Sequence, residues 1–306
     1  MFSLISSFIL IVFLYVIACL LIAAFHYFVK PLLFSKRSSL KGGWALVTGA
    51  TDGIGKEFCI QLAKDNVNVI LVSRTQVKLD LFAKELEKNY KITTKTISCD
   101  FTKVDIYEKI IDQTKTLDIS LLINNVGMSY DHPDFYGSSK EMTPEMIQSM
   151  INCNVTSMAM MTRTFLNKWS KDDKKHFIIN IGSLSGLFPT PLLSLYSATK
   201  AFAHFFSRTL YQECDNVYVQ GYSPMFVVSK MSKIKTPNLF IPSAADYANS
   251  ALNMLGMMPS LTGYFWHEVA YIIMSLVPSY ILEIKMFDYL NVQRKKSEKR
   301  TSMKKK

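Results

Sequence analysis

The sequence predicts an α/β fold: a doubly wound parallel sheet with helices on both faces, in a single domain. A transmembrane helix precedes that domain and a membrane-associated extension follows it. Three observations carry the prediction. From Gly42 onward, short apolar β-branched runs alternate with amphipathic stretches, the pattern of parallel strands joined by crossover helices. Residues 2–29 contain no Asp, Glu, Lys or Arg. Beyond Gly263 the chain is apolar again and then turns strongly basic. A length of 306 residues accommodates one α/β domain of about 250 residues plus terminal extensions.

The N-terminal segment is longer than the roughly 20 helical residues needed to cross a hydrocarbon core. A cleaved signal peptide would have a basic start and an apolar region of about 7–15 residues. This segment has neither, so residues 1–30 are expected to be a retained anchor. Lys30, Lys36, Arg37 and Lys41 follow it and no basic side chain precedes it, which predicts that everything after residue 30 lies in the cytosol. Cys19, Cys59, Cys99, Cys153 and Cys214 are odd in number and form no CxxC pair. They are expected to be free thiols in a reducing compartment, not a disulfide framework or a metal site.

Strands are expected at 45–48, 67–72, 92–97, 121–123, 177–181 and 217–221. Helices are expected at 56–64, 102–114, 143–169 and 196–213, so residues 42–262 form one domain without repeats or low-complexity linkers. Between the first strand and the first helix lies Thr48-Gly49-Ala50-Thr51-Asp52-Gly53-Ile54-Gly55. Glycines there permit a tight turn and close backbone approach, and the N–H groups of the helix start can face a diphosphate. The second strand ends Leu71-Val72-Ser73-Arg74. An acidic residue at this place grips the free 2′-hydroxyl of NAD, whereas an arginine suits the 2′-phosphate of NADP, so NADP is the expected cofactor.

Tyr196 and Lys200 lie four residues apart in a helical stretch and therefore share a face. A neighbouring ammonium is expected to lower the phenol pKa, making it a general acid for a developing alkoxide. By itself this spacing fits an ordinary surface pair. Ser183, which follows the strand at 177–181, is placed to hydrogen-bond a substrate carbonyl. Asn154 lies in the long preceding helix, and Asn124-Asn125-Val126-Gly127 closes another strand.

The glycine turn, the Asn124–Gly127 run, the set Ser183, Tyr196 and Lys200, and Pro224 followed by Val227 and Ser229 occur in order along residues 42–261. Together they resemble a short-chain dehydrogenase/reductase with a Rossmann-type sheet. The anchor and the variant motifs resemble the 17β-hydroxysteroid dehydrogenase type 12 / very-long-chain 3-oxoacyl-CoA reductase group of the endoplasmic reticulum. The resemblance implies that Tyr196 protonates a ketone, Lys200 holds the nicotinamide ribose, Ser183 orients the carbonyl, and Asn154 carries a water linking Lys200 to solvent. Gly49, Asp52, Gly53, Ile54 and Gly55 would line the diphosphate, with Asp100 at the adenine and Asn125 at the adenosine ribose. Val227 would bond the carboxamide through its backbone, with Ser229 standing where relatives have Thr. Pro224-Met225 replaces the usual Pro-Gly. The end, Met303-Lys304-Lys305-Lys306, matches only in part the dilysine retrieval signal of many relatives.

Asn154-Val155-Thr156 is also a formal glycosylation sequon. A glycan needs an exposed lumenal site and catalysis a buried cytosolic one, and the flanking charges favour the second. The net charge of +11 is concentrated in residues 292–306. That run is expected to be a solvated, disordered tail, with attraction to anionic headgroups as the alternative; without interleaved aromatics it offers nothing for nucleic acid. Residues 263–291 are apolar but interrupted by charges and Pro278. They are expected to form an interfacial element that guides acyl chains, with a substrate lid or dimer contact as the rival.

The expected activity is NADPH-dependent reduction of a ketone on a lipid-like substrate, a 3-oxoacyl-CoA in fatty-acid elongation, by an oxidoreductase acting on CH–OH and C=O groups. The alternative substrate is a 17-position steroid. A silent membrane scaffold would be expected to lose the tyrosine, which is present. A homodimer and elongation-complex proteins are the macromolecular partners the resemblance suggests.

Overall fold

The computed structural model describes residues 2–170 and 173–304; Lys305 and Lys306 of the partial retrieval motif lie outside the described residues. The chain begins with α1 (Phe2–Ala24), a π-turn (Phe25–Val29) and α2 (Lys30–Phe34). Ile5–Phe34 makes a 30-residue helical run, long and apolar enough to cross a membrane; its most apolar 18-residue stretch has a mean hydropathy of 3.1 and is only 6% buried. Arg37, just beyond it, is tied into the domain. Its guanidinium donates to Asp65 at 2.5 Å, Asn249 at 2.7 Å and Asn253 at 2.8 Å.

Five strand–helix units then alternate: β1 (Trp44–Thr48), α3 (Gly53–Lys64), β2 (Asn68–Ser73), α4 (Gln76–Tyr90), β3 (Thr94–Ser98), α5 (Tyr107–Thr114), β4 (Ile119–Asn124), α6 (Pro144–Ile151) leading through a π-turn (Asn152–Thr156) into α7 (Ser157–Trp169), β5 (His176–Ile181) and α8 (Ser194–Glu213). β6 (Val217–Tyr222), α9 (Ala244–Asn253), the short β7 (Ser260–Leu261), α10 (Phe265–Ser275) and α11 (Ser279–Lys304) complete the chain. The seven strands pair in parallel in the order β3-β2-β1-β4-β5-β6-β7. Alternate residues of one strand enter opposite cores, because side chains alternate across a sheet. Ala45, Val47, Val69 and Leu71 pack under α3, α4 and α9; Leu46, Ile70 and Val72 pack under α5 and α7. Burial on both faces explains why these strands read as continuous apolar runs.

The expected strands are found within one or two residues of their sequence positions. Three expectations are corrected. The helix expected from residue 102 starts at Tyr107, because the Asp100 carboxylate holds Thr102 in a turn through its N–H and hydroxyl, both at 3.0 Å. The helix expected over 143–169 contains the π-turn at Asn152–Thr156. The basic residues expected in a disordered tail are helical as far as Lys304, since α11 runs without a break through residues 291 and 292. Leu290 is buried, Arg294 pairs with Glu298 at 2.5 Å and lies 4.9 Å above the Phe135 ring, and Phe287 meets the same ring. These contacts fold α11 back onto the loop after β4. The bend between α10 and α11, near Pro278, is 119°, as expected where proline interrupts a helix.

Candidate active site

The strand order reverses between β1 and β4, and in such sheets ligands bind in the crevice beyond the carboxyl ends of the strands at that point. The glycine turn lies there. Gly49 and Gly53 have φ of +66° and +53°, which only glycine adopts without strain. A side chain on Gly55 would begin 2.3 Å from Asn125 Nδ2 and 2.4 Å from the Gly49 carbonyl. Asn125 donates from Nδ2 to the carbonyls of Thr48 (2.9 Å) and Gly49 (3.4 Å). The Thr48 hydroxyl accepts the N–H groups of Asn125 and Val126, each at 3.0 Å. The Asn125 amide therefore props the turn from beneath, whereas the resemblance placed it beside a ribose. Asp52 caps α3 by accepting the Gly53 N–H at 2.8 Å. Ile54 packs against the core below.

A Cβ on Gly53 would meet nothing nearer than the Ser229 Cβ at 3.6 Å. Ser229 thus comes within van der Waals range of the turn, and the glycines leave the backbone at the start of α3 bare of side chains, the kind of surface on which a diphosphate rests, so the residues present fit a dinucleotide. Lys230, not anticipated from the sequence, lies beside this turn in an exposed ion pair with Asp52 at 2.6 Å. Arg74 is exposed at the end of β2, and its side chain makes no ion pair among the described residues. Asp100 is partly buried and spends one carboxylate oxygen on Thr102.

The catalytic candidates converge over the ends of β4 and β5. Ser183 follows β5 with an extended backbone, and its hydroxyl accepts the Ser185 N–H at 3.2 Å. The Tyr196 phenol lies close enough to this hydroxyl for Ser183 to favour its ionised form. Lys200, 5% exposed, donates from Nζ to the Ile181 carbonyl at 2.9 Å and stands 5.8 Å from the centre of the Tyr196 ring. α8 settles this deeply because residue 186 is glycine: a Cβ there would lie 2.3 Å from the Lys200 carbonyl carbon. Beneath the site, Asn124 donates to Asn180 (2.8 Å) and Thr162 (3.1 Å), and Asn180 donates to Ser207 (3.0 Å). This buried chain links β4, β5, α7 and α8, and each member has a partner, as buried polar groups require.

The electrostatics depart from the expectation that Lys200 acidifies Tyr196. Burial pushes the Tyr196 phenol above its usual value, and the Ser183 hydroxyl offsets this only in part. Burial also lowers Lys200, to about 8. Removing both groups from water disfavours phenolate and ammonium alike. Tyr196 is therefore a neutral phenol near neutrality, the form that can donate a proton.

Asn154 lies in the π-turn and is 2% exposed. Its amide accepts the Met128 N–H at 2.8 Å and donates to the Met128 carbonyl (2.9 Å) and the Thr199 hydroxyl (3.0 Å). The side chain thus clamps the loop after β4 to α8, which leaves no amide group exposed for a glycan. A Cβ on Gly127 would stand 3.4 Å from both Asn154 Oδ1 and Lys200 Nζ, so the glycine lets the two polar groups share one space.

The segment between β6 and α9 closes over this site. Val227 is buried, and its carbonyl accepts the Ser232 hydroxyl at 2.7 Å. Ser229 accepts the Ser232 N–H at 3.2 Å. Lys233, with φ of +58°, reaches across to the Asp131 carbonyl. Phe226, Met231, Leu239 and Phe240 are exposed along the same segment. Sequence reasoning missed one residue that organises it, His267 of α10. A lone histidine in an apolar stretch gave no signal.

Comparison with known proteins agrees with this geometry. The Danio rerio very-long-chain 3-oxoacyl-CoA reductase-A is 46% identical over 230 residues, which cover 74% of this chain and 72% of that protein. The Homo sapiens very-long-chain 3-oxoacyl-CoA reductase is 41% identical over 78% of this chain and 77% of its own length. A short-chain dehydrogenase from Sphingobium yanoikuyae, solved in complex with NADPH, superposes with a TM-score of 0.62 at 25% identity. That match covers 69% of this chain and 83% of that one. Residues 43–239 match the family described as short chain dehydrogenase, and the chain belongs to that family.

Proposed function

We propose that this protein reduces the 3-keto group of a long-chain 3-oxoacyl-CoA to the 3-hydroxy compound at the expense of NADPH. The observation that carries the reading is the convergence of Ser183, Tyr196 and Lys200 at the end of β5, beside a glycine turn whose positive φ angles leave the start of α3 bare of side chains. Relatives at 40–46% identity named as very-long-chain 3-oxoacyl-CoA reductases support the substrate class.

NADPH, when bound, supplies the hydride. Gly49, Asp52, Gly53, Ile54 and Gly55 would hold its diphosphate, with Asn125 supporting that turn from beneath, Arg74 would hold the 2′-phosphate, and Asp100 the adenosine side. Val227 and Ser229 would hold the carboxamide side. The protein's own contribution is the proton and its placement. Ser183 donates to the ketone oxygen and fixes it beside the Tyr196 hydroxyl. The neutral Tyr196 phenol gives its proton to that oxygen as negative charge develops there. Lys200 in its ammonium form holds the ribose and favours the phenolate left behind. Asn154, by clamping Met128 to Thr199, keeps the space around Lys200 Nζ open for reprotonation.

We also infer that Ile5–Phe34 crosses the endoplasmic reticulum membrane and leaves the domain in the cytosol. The 30-residue apolar run and the basic residues that follow it support this. The exposed apolar side chains Ile273, Leu276, Tyr280, Ile281 and Ile284 around the α10–α11 bend suit contact with the bilayer surface, from which an acyl chain would enter.

The test is NADPH oxidation by the membrane-embedded protein with long-chain 3-oxoacyl-CoA and, in parallel, with estrone. Turnover of the acyl-CoA that Tyr196→Phe abolishes is the expected result. Turnover of estrone alone would replace this reading with the steroid one.

A further inference from the structure

The first turn of α10 faces two ways. His267 is fully buried. Its Nδ1 accepts the Met225 N–H at 3.3 Å and its Nε2–H donates to the Phe240 carbonyl at 3.1 Å. These partners require the neutral Nε2–H tautomer, since one nitrogen must accept while the other donates. Met225 and Phe240 stand at opposite ends of the segment that carries Val227 and Ser229 and closes the cleft, so one imidazole fastens both ends of that flap. The Trp266 ring adds an edge contact to Phe240, with centroids 5.7 Å apart.

The neighbouring Glu268 points to the N-terminal helix. Its Oε2 accepts the Tyr27 hydroxyl (3.2 Å), the Thr262 hydroxyl (2.9 Å) and the Thr262 N–H (3.2 Å). Tyr27 is buried, and its oxygen also accepts the Gly263 N–H at 3.1 Å. Phe265, two residues before His267, meets Phe28 at 4.8 Å and Tyr27 at 6.1 Å. Adjacent residues of one helical turn therefore hold the foot of the apolar helix and both ends of the flap.

We propose that His267 is a positioning residue, and that the Tyr27–Glu268–His267 linkage makes the N-terminal helix part of the substrate entrance. The foot of the helix sets the position of the flap through which a long acyl chain passes. The proposal rests on the reductase reading for its substrate, but its mechanical claim does not need that reading. Flap and helix foot are more than 190 residues apart in sequence, about the distance from Tyr27 to Met225, and the first turn of α10 holds hydrogen bonds to both. Losing the two His267 hydrogen bonds would free the Met225 N–H and the Phe240 carbonyl, both partly buried, and with them the two ties that hold the flap to α10.

The experiment uses the full chain in phosphatidylcholine nanodiscs. Trypsin cleavage at Lys230, Lys233 and Lys235 reports flap release without reference to activity. His267→Phe, which keeps a ring but loses both hydrogen bonds, is expected to speed cleavage about tenfold, the combined effect of two lost hydrogen bonds of ordinary strength. His267→Gln, which can restore the donor to Phe240, is expected to fall between His267→Phe and the parent. Tyr27→Phe is expected to speed cleavage at the same three lysines by a smaller factor. Thermal unfolding of each variant separates flap release from global unfolding. In parallel, KM for a long-chain 3-oxoacyl-CoA is expected to rise more than kcat falls in all three variants.

Unchanged cleavage in His267→Phe would overturn the clamp. Unchanged cleavage in Tyr27→Phe would overturn the linkage to the membrane helix. If no 3-oxoacyl-CoA is turned over by the parent protein, the reductase reading fails, and the proteolysis still decides the mechanical claim.

Discussion

At the glycine turn, the contacts that shape the cleft run between neighbouring strand ends: Thr48, closing β1, and Asn125, just past β4, hold the turn by short hydrogen bonds between side chain and backbone. At the substrate-facing side, the contacts join side chains from distant segments. Tyr27 meets Thr262 across 235 residues of sequence, and His267 meets Met225 across 42. The first region inherits its shape from the sheet and has no slack, as the missing room at Gly55 demonstrates. The second is assembled from separately tethered pieces, each held by a few hydrogen bonds. One side can therefore be exact about a cofactor that never varies, while the other can yield to chains of different length.

Four substitutions or conditions probe this contrast, from large effects to small. Tyr196→Phe removes the proton donor standing between the two regions. Turnover is expected to fall about 10²–10⁴-fold while NADPH binding, followed by fluorescence titration, is retained. Gly55→Ala strikes the rigid side, where a Cβ meets Asn125 and the Gly49 carbonyl. We expect a loss of roughly 1–3 kcal/mol in unfolding free energy, as for overpacking elsewhere, together with loss of NADPH binding. A soluble, fully binding Gly55→Ala protein would break the comparison. Arg74→Leu would remove the charge-assisted contact proposed to the 2′-phosphate, a kind worth about 1.5–3 kcal/mol, so the Kd for NADPH should rise at least tenfold with little change for NADH. Lys230→Ala, which removes the exposed ion pair to Asp52, should change unfolding free energy by less than about 1 kcal/mol.

The pH dependence sharpens the picture of the centre. Lys200 has a folded-state pKa of about 8, below its ordinary value of 10.5. From about 8 to the ordinary lysine range the unfolded chain holds more protons than the folded one, so this residue makes stability rise with pH there. Activity is expected to have the opposite sign, because in the proposed mechanism the ammonium is the form that holds the ribose and supports the phenolate. kcat/KM for NADPH, which reports the free enzyme, is expected to fall as pH rises through about 8. Tyr196 stays protonated over that window because burial raises its pKa. A decline set by a group titrating below neutrality would contradict this assignment.

The sequence by itself determined the parallel sheet, the glycine turn and the pairing of Tyr196 with Lys200 on one helix face, because each is a local matter. Doubly buried strands must be apolar along their whole length, a positive φ demands glycine, and a four-residue spacing in a helix puts two side chains on one face. The tertiary structure alone decided the rest. The π-turn holding Asn154 has no composition of its own and is legible only from the helix it interrupts. The acidity of Tyr196 was misjudged from spacing, since spacing reports a neighbouring charge but not the loss of water around both groups. The basic end became a helix because Phe287, Leu290 and Arg294 found the loop around Phe135, a partner about 150 residues away whose position no local pattern encodes. His267 and Tyr27 acquire meaning only from what lies opposite them, and hydrogen bonds between distant segments exist only after the chain has folded.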